Sequence, residues 1–161
     1  MRRARKYRKY HKPDAKYQST VVTRFVNYLM ESGKKSVAQG VIYDAFDIIK
    51  EKAKEEPLPI FERALENAAP QLEVVTTRVG GANYQVPREV RDDRRFILAA
   101  RWMIEAARSV KGKPMAVKIA EEIMAAAKNE GNAVKKKINT HRMAEANRAF
   151  AHFARSSAPR H

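Results

Sequence analysis

Cysteine is absent from this chain, which excludes disulfides, thiolate catalysis and cysteine-ligated zinc and suits a reducing compartment. Long apolar runs are missing as well. No stretch approaches the ~20 residues of a membrane span, and the N-terminus lacks the apolar core of a secretory signal, so its basic start is expected to belong to the working protein. Negative charge is scarce: 18 Asp and Glu stand against 33 Lys and Arg, a net charge of +15. Such an excess repels itself and favours a polyanion, either nucleic acid or an acidic membrane surface. What remains suffices for a folded body, since 161 residues with 44% hydrophobic content can form one domain with a real core.

The charge is concentrated at the two ends. Residues 1–33 carry nine basic and two acidic side chains, residues 34–66 six and seven, and residues 133–161 seven and one. A solvated surface usually intersperses the signs, so this segregation itself points to polyanion binding. Residues 1–12 hold Arg2, Arg3, Arg5, Lys6, Arg8, Lys9 and Lys12, interleaved with Tyr7 and Tyr10. They lack apolar periodicity and read as an arm that orders on its partner.

Six helices are expected, making a mainly α body. Ser19 is a candidate N-cap for the first, with Val21, Val22, Phe25, Val26, Leu29 and Met30 in helical rhythm and Gly33 as its C′ residue. A second runs from about Ser36 to Ala53, with Val37, Val41, Ala45, Ile48 and Ile49 inward. Pro57 opens a third, carrying Leu58, Phe61, Leu65 and Ala68 until Pro70. Asp92 or Asp93 caps a fourth, bearing Phe96, Ala99, Ala100, Met103 and Ala107. Pro114 starts a fifth that Gly131 ends, and a sixth spans about Ala133 to Phe153. Between the third and fourth, Leu72 to Val79 and Ala82 to Val86 read as the arms of a β-hairpin turned by Gly80-Gly81, which tolerate positive φ. A two-stranded hairpin is marginal alone, so this ribbon at about 72–87 needs a surface to lie against. The division expected is one domain, 1–161: an arm (1–12), a body (13–153) and a fraying tail (154–161).

Catalytic chemistry finds little support. His141 and Glu145 share a helical face at i, i+4, yet no third group completes a constellation. Gly33-Lys34-Lys35 lacks the upstream glycine of a P-loop, Gly80-Gly81 lacks dinucleotide-binding spacing, and no cofactor or metal set is present. For the neighbours Glu121-Glu122 and Asp92-Asp93, capping is the better reading. Binding chemistry is richer. Lys34 and Lys35 open a helix, where the helix dipole disfavours cations, and Lys135, Lys136 and Lys137 repeat that conflict at the start of the last helix. Arg78, Arg88, Arg91, Arg94 and Arg95 suit forked contacts to phosphate or stacking on bases. Internal pairing with Glu73, Glu89, Asp92 and Asp93 is expected to take up one or two of these five. Tyr84 is placed either to stack on a base or to hold the ribbon to the body.

Several motifs together resemble a known family. These are Leu29-Met30…Gly33-Lys34-Lys35, Arg78-Val79-Gly80-Gly81-Ala82-Asn83-Tyr84-Gln85-Val86-Pro87, Ala133-Val134-Lys135-Lys136-Lys137, and Arg142-Met143-Ala144-Glu145-Ala146-Asn147-Arg148-Ala149-Phe150-Ala151-His152. In that order, from about Pro13 to Phe153, the chain is similar to protein seven of the small ribosomal subunit in its bacterial form. The resemblance implies a six-helix body with a β-ribbon that binds the 3′ major domain of small-subunit rRNA, nucleates assembly of the head, and lies near the decoding centre and the tRNA exit site, in the cytoplasm. It also implies ribosomal proteins nine and eleven as neighbours, with mRNA and exit-site tRNA close by. Thr77 stands where the family usually has a basic residue, and Ala15 replaces a common proline.

On this reading the arm, Lys34-Lys35, the arginines from Arg78 to Arg95, Lys135–Lys137 and Arg142 bracket an rRNA junction. The ribbon tip, Val79, Gly80, Gly81, Ala82, Asn83 and Tyr84, reaches toward tRNA. Specificity is expected from shape, because side chains cannot read the A-form major groove. Two rivals are a DNA-architectural protein or repressor, which would prefer duplex DNA, and an RNA-processing enzyme dependent on His141 or Glu145.

Overall fold

A computed structural model describes residues 11–155, the side chains of 154 and 155 excepted. The elements run α1 (Thr20–Leu29), α2 (Lys35–Ala53), α3 (Pro57–Ala68), β1 (Leu72–Val79), β2 (Ala82–Glu89), α4 (Asp92–Ser109), α5 (Met115–Ala127), α6 (Gly131–Ala146) and a 3-10 helix at Arg148–Arg155. The fold is therefore mainly α with one antiparallel two-stranded ribbon, as the periodicity predicts. Most of the basic arm, residues 1–10, lies outside the described residues, as does the tail from 156.

Helix α5 is the hub, packing against α2, α3, α4 and α6. Its alanines Ala120 and Ala126 are fully buried; their small side chains let neighbouring helices approach closely while Ile119 and Ile123 fill the spaces between. Within the same core, Phe25 of α1 meets Phe61 of α3 edge-on at 5.1 Å, and Phe46 of α2 lies 5.3 Å from Phe61. All three rings are fully buried, and burial of each such side chain contributes roughly 1.5–3 kcal/mol. The segment before α1 is tied down by Asp14, a buried carboxylate. It accepts the backbone N–H groups of Lys16 and Tyr17 (3.1 and 3.2 Å) and, from α2, the Gln39 amide and the Tyr43 hydroxyl. Burial, with further contributions from Asp14, holds the Tyr43 phenol above its ordinary pKa.

Helix ends follow sequence chemistry in part. Ser19 caps α1, its hydroxyl accepting the Val22 N–H, and Pro57 sits at the first turn of α3. Several expectations need correction. Gly33 is not the C′ residue of α1, which ends four residues earlier at Leu29; its φ of +75° serves the turn into α2. On α2 the inward face is Ala38, Ile42, Ala45, Phe46 and Ile49, leaving Val37 61% exposed. Neither Asp92 nor Asp93 is the cap of α4. Arg91 occupies that position without a side-chain bond, and both aspartates lie in the first turn, where the helix dipole favours them.

The junction of α5 and α6 departs furthest from expectation. Asn129, at φ +61°, is the left-handed residue that closes α5, with Asn129 N–H bonded to Ala126 O and Glu130 N–H to Ala125 O in a Schellman arrangement. Gly131, assigned by sequence to the end of α5, instead opens α6 at φ +90°. A Cβ there would lie 2.8 Å from Glu122 Oε1. Glu122 reaches across from α5 to accept the Ala133 N–H at 2.8 Å, a cap supplied by tertiary structure. At its far end α6 stops at Ala146 rather than Phe153, and the chain continues as the 3-10 helix.

The ribbon register pairs Leu72 with Glu89 through Val79 with Ala82, three residues longer on β2 than the expected end at Val86. Gly80 and Gly81 both have positive φ, 58° and 88°, as a two-residue I′-type turn requires. Directly opposed residues share a face, so Glu73, Val75, Thr77, Tyr84, Val86 and Arg88 line one side and Arg78, Asn83 and Gln85 the other. The first side lies against the chain itself. Val86 is buried, and the Tyr84 ring sits 5.3 Å from both Phe150 and Phe153 of the 3-10 helix.

Candidate nucleic-acid interface

Two groups of cations emerge when each candidate is followed to its partners. In the first, the fold neutralises the charge. Glu73, buried at the ribbon base with 10% of its side chain exposed, accepts Arg88 Nη2 at 3.1 Å and Arg94 Nε at 3.2 Å. Arg95 reaches Asp92 at 3.4 Å, and its Nε is buried with no acceptor among the described residues. Three of the five arginines thus meet a carboxylate, more than the one or two expected: the register puts Glu73 opposite Arg88 with Arg94 of α4 beside it, whereas Arg95–Asp92 is a local i,i+3 contact to a carboxylate that is 98% exposed and contributes little. Lys136 pairs with Glu105 at 2.6 Å. Lys137 donates to the Asn67 carbonyl at 2.8 Å near the end of α3, where the helix dipole welcomes a cation. Burial, then the nearby Arg95 charge, lowers the Lys137 pKa.

In the second group the charge is left open. Lys12, Lys34, Lys35, Arg78, Arg91, Lys135 and Arg142 are exposed and form no ion pair among the described residues. Lys34 and Lys35 occupy the N-cap and first position of α2, which has no acidic residue in its first turn, so the dipole conflict read from sequence is present. The equivalent argument fails for Lys135–Lys137: α6 begins at Gly131, which puts them in its second turn, beyond the reach of that effect. A cleft of about 210 Å³ brings Lys12 beside Lys35. Arg2, Arg3, Arg5, Lys6, Arg8 and Lys9 lie outside the described residues. At the ribbon tip, Arg78 and Asn83 face outward together, whereas Tyr84 is occupied by Phe150 and Phe153.

A catalytic pair is not assembled. His141 Nε2 accepts the Gln71 backbone N–H at 3.0 Å, pinning the entry to the ribbon against α6, and Glu145 pairs with Arg148 at 3.4 Å. Burial, then the charge of Lys137, holds the imidazole below its ordinary pKa. Among the described residues no cluster of three His, Asp or Glu side chains could hold a metal ion, and no helix is long and apolar enough to cross a membrane. Sequence reasoning missed two features. Asp14 as an anchor was signalled only by its isolation in a basic segment. The other is the row of Arg24, Tyr28, Phe96 and Arg101 along α1 and α4, of which the sequence reading names only Phe96, as an apolar residue of the fourth helix.

Fold and surface together define a helical scaffold with many exposed cations that form no ion pair among the described residues, the seven candidates above and also Lys52, Lys54, Arg63, Arg101, Lys111 and Lys128. Residues 1–148 match the family described as Ribosomal protein S7p/S5e, and the chain belongs to that family of structural, non-catalytic ribosomal components. Small ribosomal subunit protein uS7 of Thermotoga neapolitana is 58% identical over 153 residues, 95% of this chain and 99% of the relative. The proteins of the same name from Methylocella silvestris and Myxococcus xanthus are each 58% identical over 141 residues, 88% of this chain and 90% of theirs.

Proposed function

We propose that this chain is a structural protein of the small ribosomal subunit, in the cytoplasm, that binds the 3′ major domain of its rRNA and nucleates assembly of the head. The observation that carries this reading, beside family membership, is the set of exposed cations the fold leaves open: Lys12, Lys34, Lys35, Arg78, Arg91, Lys135 and Arg142. These seven meet no carboxylate among the described residues and lie on elements that the family resemblance assigns to RNA contact, so an outside polyanion is their natural counterpart. Arg88, Arg94, Arg95, Lys136 and Lys137 belong to the same binding surface but act through their internal partners, shaping it rather than supplying most of the affinity.

In this account residues 1–161 form one rRNA-binding domain. The arm, 1–12, adds counterion-releasing contacts, the body positions the open cations, and the ribbon tip, residues 79–84, lies toward exit-site tRNA and mRNA. Ribosomal proteins nine and eleven of the small subunit are its neighbours, and the site lies near the decoding centre. The test is a competition assay with the full chain, labelled 3′-domain rRNA, and either unlabelled rRNA or duplex DNA of equal length. Preference for the rRNA, with a footprint confined to the 3′ major domain, is expected. Equal competition by duplex DNA would favour the DNA-architectural alternative.

A further inference from the structure

Along the seam between α1 and α4, guanidinium groups and aromatic rings alternate. The Arg24 guanidinium carbon lies 4.1 Å from the centre of the Phe96 ring. Phe96 and Tyr28 stand 6.3 Å apart at an angle of 55°, and the Arg101 guanidinium carbon is 5.7 Å from the centre of Tyr28. Two open cavities, of about 610 and 410 Å³, flank this ladder, one extending to His11 and Asp93 and the other to Arg101 and Arg108. Asn27 and Tyr28 border both. Each cavity is in the size range that admits a small-molecule-sized group.

The polar groups here are idle. Among the described residues neither the Asn27 amide nor the Tyr28 hydroxyl has a hydrogen-bond partner, and Arg101 has no carboxylate. Arg24 meets Asp93 at 3.6 Å, but that carboxylate is 93% exposed, and such a pair contributes little. The fold has therefore assembled planar groups, open cations and one side-chain amide without using their bonding capacity. An amide can donate and accept at once, as the edge of a nucleobase demands, whereas an acidic peptide would satisfy only the arginines. Unpaired bases are recognised by stacking on rings or guanidinium planes and by hydrogen bonds to their edges.

We propose that this seam is a distinct subsite for an unpaired nucleobase of RNA, stacked against Tyr28, its edge bonded by the Asn27 amide and its phosphate by Arg101. The proposal rests on the RNA-binding reading and adds a single-strand contact separate from every basic element named above. Duplex RNA is excluded, because its bases are already stacked and paired.

The experiment probes base reactivity across a 3′-domain rRNA fragment bound to the full-length chain, comparing wild type with Tyr28→Phe, Tyr28→Leu and Asn27→Ala. At least one unpaired nucleotide should be protected by wild type and Tyr28→Phe and become reactive with Tyr28→Leu. Affinity for the fragment should fall about 5- to 160-fold in Tyr28→Leu, the range of one base–aromatic stack. Asn27→Ala should keep the protection but lose preference for base identity when that nucleotide is changed. Should Tyr28→Leu fail to fold by circular dichroism, the double variant that combines Asn27→Ala with Arg101→Ala, and so removes the phosphate contact as well as the edge contact, must expose the same nucleotide. Unchanged protection and affinity in the folded variants would overturn the subsite while leaving rRNA binding intact. No binding by the wild-type chain would bring down both.

Discussion

Removing Arg88 and Arg94 together leaves Glu73 as a carboxylate with little water and no partner. Breaking a buried ion pair from one side costs about 3–5 kcal/mol. Here the arginine side chains are 57% and 48% exposed, so part of the attraction is already screened and the cost should be about 2–3 kcal/mol. For a chain of this size each kcal/mol lowers Tm by roughly 2–4 °C, giving a drop of about 4–12 °C for Arg88→Ala with Arg94→Ala, read by thermal unfolding followed by circular dichroism. Adding Glu73→Leu removes the stranded charge and should restore most of the loss. This triple variant also separates folding from binding. It should hold rRNA within a few-fold of wild type, because the arginines it lacks were already neutralised. By contrast, Arg78→Ala with Arg91→Ala, cations without an ion pair among the described residues, should weaken binding about tenfold or more, since charge-assisted contacts contribute roughly 1.5–3 kcal/mol each. A double arginine variant as stable as wild type, or a triple variant no better than the double, would refute the role given to Glu73.

Stability should also depend on pH through His141. Its folded pKa is held below the ordinary 6.5 by burial and by Lys137, so the unfolded chain takes up a proton first. The contribution is complete above the unfolded pKa and is lost as pH falls from about 7 through the folded value; His141→Gln should flatten urea midpoints over that window, and an unchanged slope would contradict this. Gly131→Ala places a Cβ against Glu122 and Ala125 at a positive φ and should cost roughly 2 kcal/mol in chemical denaturation. Deleting residues 2–12 should leave helicity unchanged and weaken rRNA binding. Replacing Val79 through Asn83 by a minimal turn should leave subunit assembly nearly intact while altering exit-site tRNA occupancy on reconstituted subunits.

How much of this was written in the sequence depends on how local its cause is. The 3.6-residue rhythm of Val22, Phe25, Val26 and Leu29, the Ser19 cap and the Gly80-Gly81 turn each depend on neighbours within a few residues, and all were legible. Gly131 was misread because two left-handed positions, Asn129 and Gly131, lie two apart. Only the long-range cap from Glu122 shows which residue closes α5 and which opens α6. Val37 was misread because α2 begins one residue early and its buried face is rotated toward Ala38 and Ile42 by packing against α5. The candidate surface was half legible. Charge type and position can be counted along the chain, but whether an arginine is free depends on strand register. Glu73 lies opposite Arg88 only once the turn fixes the pairing. The open polar groups of Asn27, Tyr28 and Arg101 follow from the crossing of α1 and α4, which no local pattern encodes.

The most direct test of the central claim is the salt dependence of binding to the 3′ major domain of small-subunit rRNA, measured by filter binding with the full chain between 50 and 200 mM salt. If the open cations and the arm neutralise ~6–10 phosphates, affinity should fall roughly 10³–10⁵-fold over that range. The slope should become shallower when Lys34, Lys35, Arg78 and Arg91 are changed to alanine together, and stay unchanged in the Glu73→Leu triple variant. A nearly flat dependence for the wild-type chain, or a slope that the four open cations do not affect, would contradict the account.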